Sequence, residues 1–567
     1  MQSSLARMWP ELPPEIAEHI ARSLNRNELA TSFRSINKAA AAQFRGPEYT
    51  TIRLSQPVPP HAFAVHWLAP GATRGLTREQ RVHLLCLTAA SGVVANLEAA
   101  QQAAGCLLTY AVFEAAASAG QLDSCRWLRN EECPINEFYQ HASGLLAAAA
   151  AGGHQHVCEW LLSFNMRFES HWLNSAAGAA HGGHAGLMKW LLKRMPSCGR
   201  DGSVLVSAAH GCDLATLQGL RLRWKRLQPK DKAAALVAAA GSPTPDWAAK
   251  VEWLEAQGCP WNAEVAKAAA SCPAAAAADA PARLAWLRGR GLKLTRDSVC
   301  GAAESGNLPA LQYLLVEAGV QPGRNGEPAA LAAGGGHLAV LQALHAAGWP
   351  VNFKSAGRRA ARGGHLHVLD WLVHALGAEA VRLGARLFGE AARSGSVELM
   401  AWLRERGCPW SSSAFTGAAE SGCEAAMEWL AQRSCPMPSD GRPYAEACRH
   451  VDLATVRCLK RLGMPWGADG EVFLGAFDVD GTDHGPAPLA LLRFLLDEGC
   501  PASSKAELVR SWRRNYGGKR WAYPVLELLD EYQEQLNRSG DSGSEGDSSS
   551  GDSGSGGDSS SGRRGRR

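Results

Sequence analysis

Ten residues, Gly363-Gly364-His365-Leu366-His367-Val368-Leu369-Asp370-Trp371-Leu372, are the pattern from which most of this chain is copied. At about 100° per residue, Leu366, Val368, Leu369, Trp371 and Leu372 fall on one broad apolar arc, and His367 and Asp370 fall in the gap that faces water. A single partner cannot bury an arc that wide. It fits a helix packed against its own hairpin mate and against a neighbouring pair. The place of Trp371 is taken in turn by Ala99, Trp127, Trp160, Trp190, Gly219, Trp253, Trp286, Tyr313, Ala343, Trp402, Trp429, Cys458 and Phe494, at spacings of 27 to 36 residues. A chain of 567 residues is too long for one ordinary core, but stacked units extend a core in one dimension.

Each unit has two further marks. Upstream of many anchors runs a helix of small residues ending in Gly, as in Gly301-Ala302-Ala303-Glu304-Ser305-Gly306 and Gly417-Ala418-Ala419-Glu420-Ser421-Gly422. Small side chains allow close approach to the mate, and the terminal Gly supplies a left-handed cap. Downstream come Gly258-Cys259-Pro260-Trp261-Asn262, Gly407-Cys408-Pro409-Trp410, Gly463-Met464-Pro465-Trp466 and Gly499-Cys500-Pro501. These strings end the second helix, because Pro cannot continue it. Ala, Leu, Arg and Glu favour helix and β-branched residues are sparse, so the expected class is all-α.

Helix, Gly turn, longer helix and Gly-x-Pro loop at a period near 30 resemble the ankyrin repeat, in a divergent form with Trp where Leu is usual, as in green-algal and giant-virus proteins. The resemblance rests on Gly336-His337-Leu338-Ala339-Val340-Leu341, on Gly364-His365-Leu366-His367-Val368-Leu369 and on the Gly-Cys-Pro-Trp-Asn loops; the usual Thr-Pro-Leu-His is missing. It implies an α-solenoid of about 13–14 repeats over residues 82–536, binding proteins through its loops and inner helices. Trp261, Trp410 and Trp466, in loops beside the implied concave face, are the candidates for partner contact, with packing against the next loop as the alternative. The helix tryptophans keep one register in every unit and are read as structural.

Residues 1–46 follow a different pattern. Leu12-Pro13-Pro14-Glu15-Ile16 starts a helix that continues through Ile20 and Leu24, and Asn27 is placed to cap a second one bearing Leu29, Phe33 and Ile36. Leu-Pro-Pro-Glu-Ile followed by Phe33-Arg34-Ser35-Ile36-Asn37-Lys38 resembles a degenerate F-box, the module that docks the Skp-type adaptor of cullin–RING ubiquitin ligases. Leu12, Pro13, Ile16, Ile20, Leu24, Leu29 and Ile36 would then carry adaptor docking, and the chain would recruit substrates to an SCF-type ligase. The alternative is a plain ankyrin scaffold whose first helices are a cap. A Pro-rich linker, residues 47–81, lies against the first repeat in this reading, and residues 49–54 form a short strand.

Other chemistry is argued against. Net charge is +4, which disfavours a nucleic-acid partner; Arg221 to Arg226 and Arg510 to Arg514 set basic residues beside Trp but are read as solvated faces. Sixteen cysteines include no C-x-x-C pair, so reduced packing thiols in the cytoplasm or nucleus are expected, and no metal. No secretory start and no membrane-spanning run stand out. The Gly-His histidines are read as turn residues bonding backbone. No acid, base and oxyanion donor assemble, so neither an enzyme nor a cofactor is expected. The density of Asp478 to His484 is read as a solvated loop. Two stretches, Ser242-Pro243-Thr244-Pro245 and Cys272-Pro273, put proline where Gly-His is usual. Residues 537–567 are Ser, Gly and Asp with a terminal Arg cluster, a composition expected to be disordered; Ser542, Ser544, Ser549 and Ser555 have an acid three residues on, as acidophilic kinases require.

Overall fold

The computed structural model describes residues 13–131, 133, 141–164, 172–194, 202–220, 227–272, 279–467 and 489–500, with isolated positions between 472 and 534. The chain is an all-α helical-repeat solenoid, with no strand among the described residues. Thirteen inner–outer helix pairs run from Arg78–Ser91 with Val94–Ala104 to Arg442–Arg449 with Leu453–Arg461, and Leu489–Asp497 is the outer helix of a fourteenth.

The tenth pair, Phe353–Arg362 with Leu366–Leu376, bears out the apolar arc: Val368, Leu369 and Leu372 are fully buried, flanked by half-buried Leu366 and Trp371. Inner helices meet through small residues. A Cβ on Gly178 would stand 2.4 Å from the carbonyl oxygen of Ala147 in the preceding inner helix. Outer helices end alike. The N–H of Cys259, Cys408, Met464 and Cys500 donates to the carbonyl of Leu254, Leu403, Leu459 and Leu495, five residues back, at 3.2, 3.0, 3.1 and 2.9 Å. The glycine before each has φ between 71° and 76°. This is a Schellman closure with the Cys or Met side chain tucked under the helix end.

The cysteines are therefore largely structural. Burial pushes the thiols of Cys125, Cys133, Cys158 and Cys458 up to about 12, and those of Cys259, Cys408 and Cys435 up to about 11. Unfolded thiols release their protons near pH 8.5, well before the folded ones do. Stability is then complete below about pH 8.5 and is lost as pH climbs toward the folded values. Lys250 acts oppositely: burial lowers it to about 8, so its own contribution rises with pH from there. One lysine against many thiols leaves the sign negative. The urea midpoint in reductant is expected to fall between about pH 7.5 and about pH 9.5, and a rise would refute the account.

Residues 13–50 form a module with its own core of Ala17, Ala21, Leu29, Phe33, Ala40 and Phe44. Its second helix, Arg26–Thr31, is capped by Asn25 in a box with Glu28, not by Asn27 as the sequence suggested. Asn27 is instead fully buried and fastens the linker. Its Nδ2 donates to the carbonyls of Arg53, Gln56 and Pro57 at 2.8, 3.1 and 3.1 Å, and its Oδ1 accepts from Arg53 N–H at 2.9 Å. The linker is not a strand at residues 49–54: a helical turn, Pro47–Thr50, precedes a coil whose carbonyls face Asn27. Val58 and Phe63 join the main core, and Asn96 Nδ2 of the first repeat donates to Val58 O at 2.8 Å. As expected, the linker lies on the array.

Candidate interaction surfaces

In several repeats a histidine or a buried cation stitches the unit to the one before. His365 Nε2 donates to Gly334 O at 3.0 Å and His337 Nε2 to Glu304 O at 3.2 Å, the backbone bonding expected of Gly-His. His367 is exposed yet donates to Gly336 O at 2.9 Å, a contact between repeats that helix periodicity within one repeat cannot reveal. Where proline displaces Gly-His, a buried cation takes over. Lys250 Nζ donates to Ala209 O, Cys212 O and Ser242 Oγ at 2.7, 2.9 and 2.8 Å, and Arg283 Nη1 to Ala240 O and Ser242 O at 3.1 and 2.7 Å. Both stand three residues before their Trp, where other repeats bury Val157, Leu187, Val340, Val368 or Leu399. The proline interruptions are thus compensated within the same unit.

The helix tryptophans line the edge of the stack. Trp402 and Trp429 are buried and the others half-buried. In four repeats an Arg one turn on covers the ring: Arg194 on Trp190, Arg290 on Trp286, Arg406 on Trp402 and Arg433 on Trp429, at 3.9, 5.2, 3.9 and 4.3 Å from the ring centre. The loop tryptophans are half-buried against the main core. Trp261 Nε1 donates to Glu255 at 3.1 Å, Trp410 sits edge-on to Phe388 and Trp429, and Trp466 stacks on Tyr444 at 3.9 Å. All three have intramolecular partners and are not gathered into one surface by any contact between them.

On the N-terminal module, Leu29 is buried, Ile20 and Leu24 are half-buried, and Pro13 is exposed as the residue before helix Pro14–Ser23. Ile16 and Ile36 are 47% and 42% exposed. Leu12, the basic clusters at 221–226 and 510–514, the loop at 478–484 and the tail lie outside the described residues.

The sequence did not reveal the contact between the two ends of the described array. Arg81, in the first inner helix, and Asp452, in the thirteenth repeat, are 371 residues apart and form a buried bidentate pair, Nη1–Oδ1 3.2 Å and Nη2–Oδ2 2.6 Å. The same guanidinium donates to Ala104 O at 2.8 Å and Gly422 O at 3.0 Å. Burial alone would lower its pKa, but the Asp452 carboxylate outweighs that and holds it raised. Beside it Arg74 pairs with Glu428, and Ala425 N–H donates to Arg74 O at 3.0 Å. The chain passes so closely that a Cβ on Gly422, already at φ 71°, would lie 2.6 Å from Asp452 Oδ2 and 2.8 Å from Arg78 Cβ. The leading edge of repeat one thus rests on the inner-to-outer turns of repeats eleven to thirteen.

A cleft of about 570 Å³ opens along this seam, lined among others by Arg78, Gln80, Arg362, Arg393, Glu420 and His450. Nearby, ligand-type atoms of Glu424, Glu428 and Cys458 lie within 4.8 Å of one another. Their chemistry is that of an ion-pair network: Arg461 bonds Glu424 at 3.0 Å and Glu428 at 2.8 Å, Arg74 takes Glu428, and burial keeps Cys458 protonated.

The sequence matches no protein-family model and no curated protein. Solved structures similar to it include the pentatricopeptide repeat protein PPR10 in complex with an 18-nt psaJ RNA element, at 13% identity over 94% of this chain and 100% of that one, TM-score 0.24. A second such RNA complex, of a PPR10 cysteine variant, gives the same values. PPR10 from maize matches at 14% identity over 94% of this chain and 99% of that one, TM-score 0.20. At this level the likeness is one of helical-repeat architecture alone. Two of these chains nevertheless hold RNA, and the expectation that net charge disfavours nucleic acid is corrected: a charge averaged over 567 residues is silent about any single face.

Proposed function

We propose that the chain is a non-enzymatic scaffold of divergent ankyrin type, with residues 13–50 as an F-box-like module that docks a Skp-type adaptor of a ubiquitin ligase. One observation carries the docking part: Ile16 and Ile36 remain about half exposed on a module whose own core is closed without them. Both are among the positions that the F-box resemblance assigns to adaptor docking. Asn27 and Asn96 moor the module to the array through the linker, so a protein bound by the repeats is presented at a set distance from the adaptor. Such presentation is what a substrate-recruiting subunit requires.

The test is pull-down of a purified Skp-type adaptor by the full chain. Ile16→Ser with Ile36→Ser is expected to abolish it while thermal unfolding stays within about 0.5 kcal/mol of the parent, as for exposed positions. Failure of the unaltered chain to bind the adaptor removes the ligase role and leaves the scaffold reading, in which the module caps the array.

A further inference from the structure

The inner helices of repeats ten and eleven are unlike their neighbours in charge. Phe353–Arg362 reads Phe-Lys-Ser-Ala-Gly-Arg-Arg-Ala-Ala-Arg, with four cations and no acid. Its buried side is Ala356, Gly357, Ala360 and Ala361, which turns Lys354, Arg358, Arg359 and Arg362 to one arc on the opposite side. Arg386, exposed on helix Ala385–Arg393, continues that arc on the next repeat. At the ends of these two helices charges are paired: Arg393 bonds both Glu390 and Glu420, and Arg362 lies 3.9 Å from Glu420. Lys354, Arg358, Arg359 and Arg386 make no ion pair among the described residues. Arg358 Nε is buried and has no acceptor. Four like charges on adjoining helices repel one another, and no described side chain neutralises them.

The complementary charge is present in the same chain. Residues 541–558 carry Asp541, Glu545, Asp547, Asp552 and Asp558 and no basic residue. Their Ser and Gly content suits a segment that follows a surface without packing into it. The last described outer helix ends at Asp497, three repeats beyond the patch. Neighbouring helices in such stacks are about 10 Å apart, and the 44 residues from Asp497 to Asp541 reach that distance easily. We infer that the acidic segment 541–558 docks in cis on the cationic inner-helix face formed by Lys354, Arg358, Arg359 and Arg386. The segment then occupies part of the concave surface until a partner displaces it. A phosphate on Ser542 or Ser549 adds charge to the same contact.

The test uses the full chain and a fluorescent synthetic peptide of residues 540–559. In a variant with the five acids neutralised (Asp541→Asn, Glu545→Gln, Asp547→Asn, Asp552→Asn and Asp558→Asn) the peptide is expected to bind. It binds the unaltered chain at least roughly tenfold more weakly, because a tethered segment competes at an effective concentration on the order of millimolar. Adding Arg358→Glu and Arg386→Glu to the variant abolishes binding, and phosphorylating the peptide at Ser542 and Ser549 tightens it. Equal binding to both chains, or none to either, overturns the inference. So does binding of a random-sequence RNA oligonucleotide in place of the peptide, which assigns the face to nucleic acid.

Discussion

Asp452→Ala removes the carboxylate from a guanidinium that remains buried, and stability is expected to fall by roughly 3–5 kcal/mol. The side chains of Arg81 and Asp452 are 3% and 1% exposed, so solvent cannot replace the lost partner. Asp452 also caps helix Leu453–Arg461 by accepting from Thr455 N–H and Thr455 Oγ1 at 3.2 and 2.8 Å, and that contact is lost too. The two losses separate by substitution. Asp452→Asn keeps the cap and cancels the charge, whereas Arg81→Met removes the cation and leaves the cap in place. Small-angle scattering is the second readout. Opening the seam lengthens the particle in the Asp452→Ala chain, and unchanged dimensions would show that Arg74–Glu428 and the backbone contacts suffice to hold it closed.

Asn27→Leu is expected to be nearly as damaging at the other junction. Three carbonyls and one N–H of the exposed linker lose the buried side chain that holds them. Each lost hydrogen bond is worth about 0.5–1.5 kcal/mol net where water reaches the freed group, so the four together come to roughly 3 kcal/mol. The effect is local. Hydrogen exchange is expected to speed up in residues 47–58 and the N-terminal helices, with little change beyond repeat two; uniform acceleration along the array would contradict the mooring role.

Much of the solenoid was legible because its signals are local. Trp371 and Leu372 declare their side of the helix within ten residues, and Gly258-Cys259-Pro260 declares a helix end within three. Asn27 misled because two cap-type residues stand close together, and only the burial of one distinguishes them. His367 faces water as the helix wheel has it, but its acceptor, Gly336 O, belongs to the preceding repeat, and no wheel of one helix shows that bond. Arg81 gave no sign at all. It follows Gln80 in a helix start rich in charge, and its partner is set by a pitch summed over a dozen small rotations between repeats. No pair of residues encodes that sum.

The loop tryptophans show a related limit. Trp261, Trp410 and Trp466 share a sequence context, Pro before and a polar or small residue after, yet each spends its ring on a different neighbour. A shared motif fixed their place in the loop and left open what they touch.

The seam also changes what kind of object the array is in mechanical terms. An open stack of repeats frays from both ends, since each terminal unit has one neighbour only and unzipping can start there at little cost. Here repeat one has neighbours at both of its edges, repeat two on one side and repeats eleven to thirteen on the other. Tension that reaches repeat one, once the N-terminal module and its linker have given way, therefore loads the buried Arg81–Asp452 pair before any single repeat. In a force–extension trace the repeats are expected to leave together after one initial break, where an open array would give a staircase of equal steps.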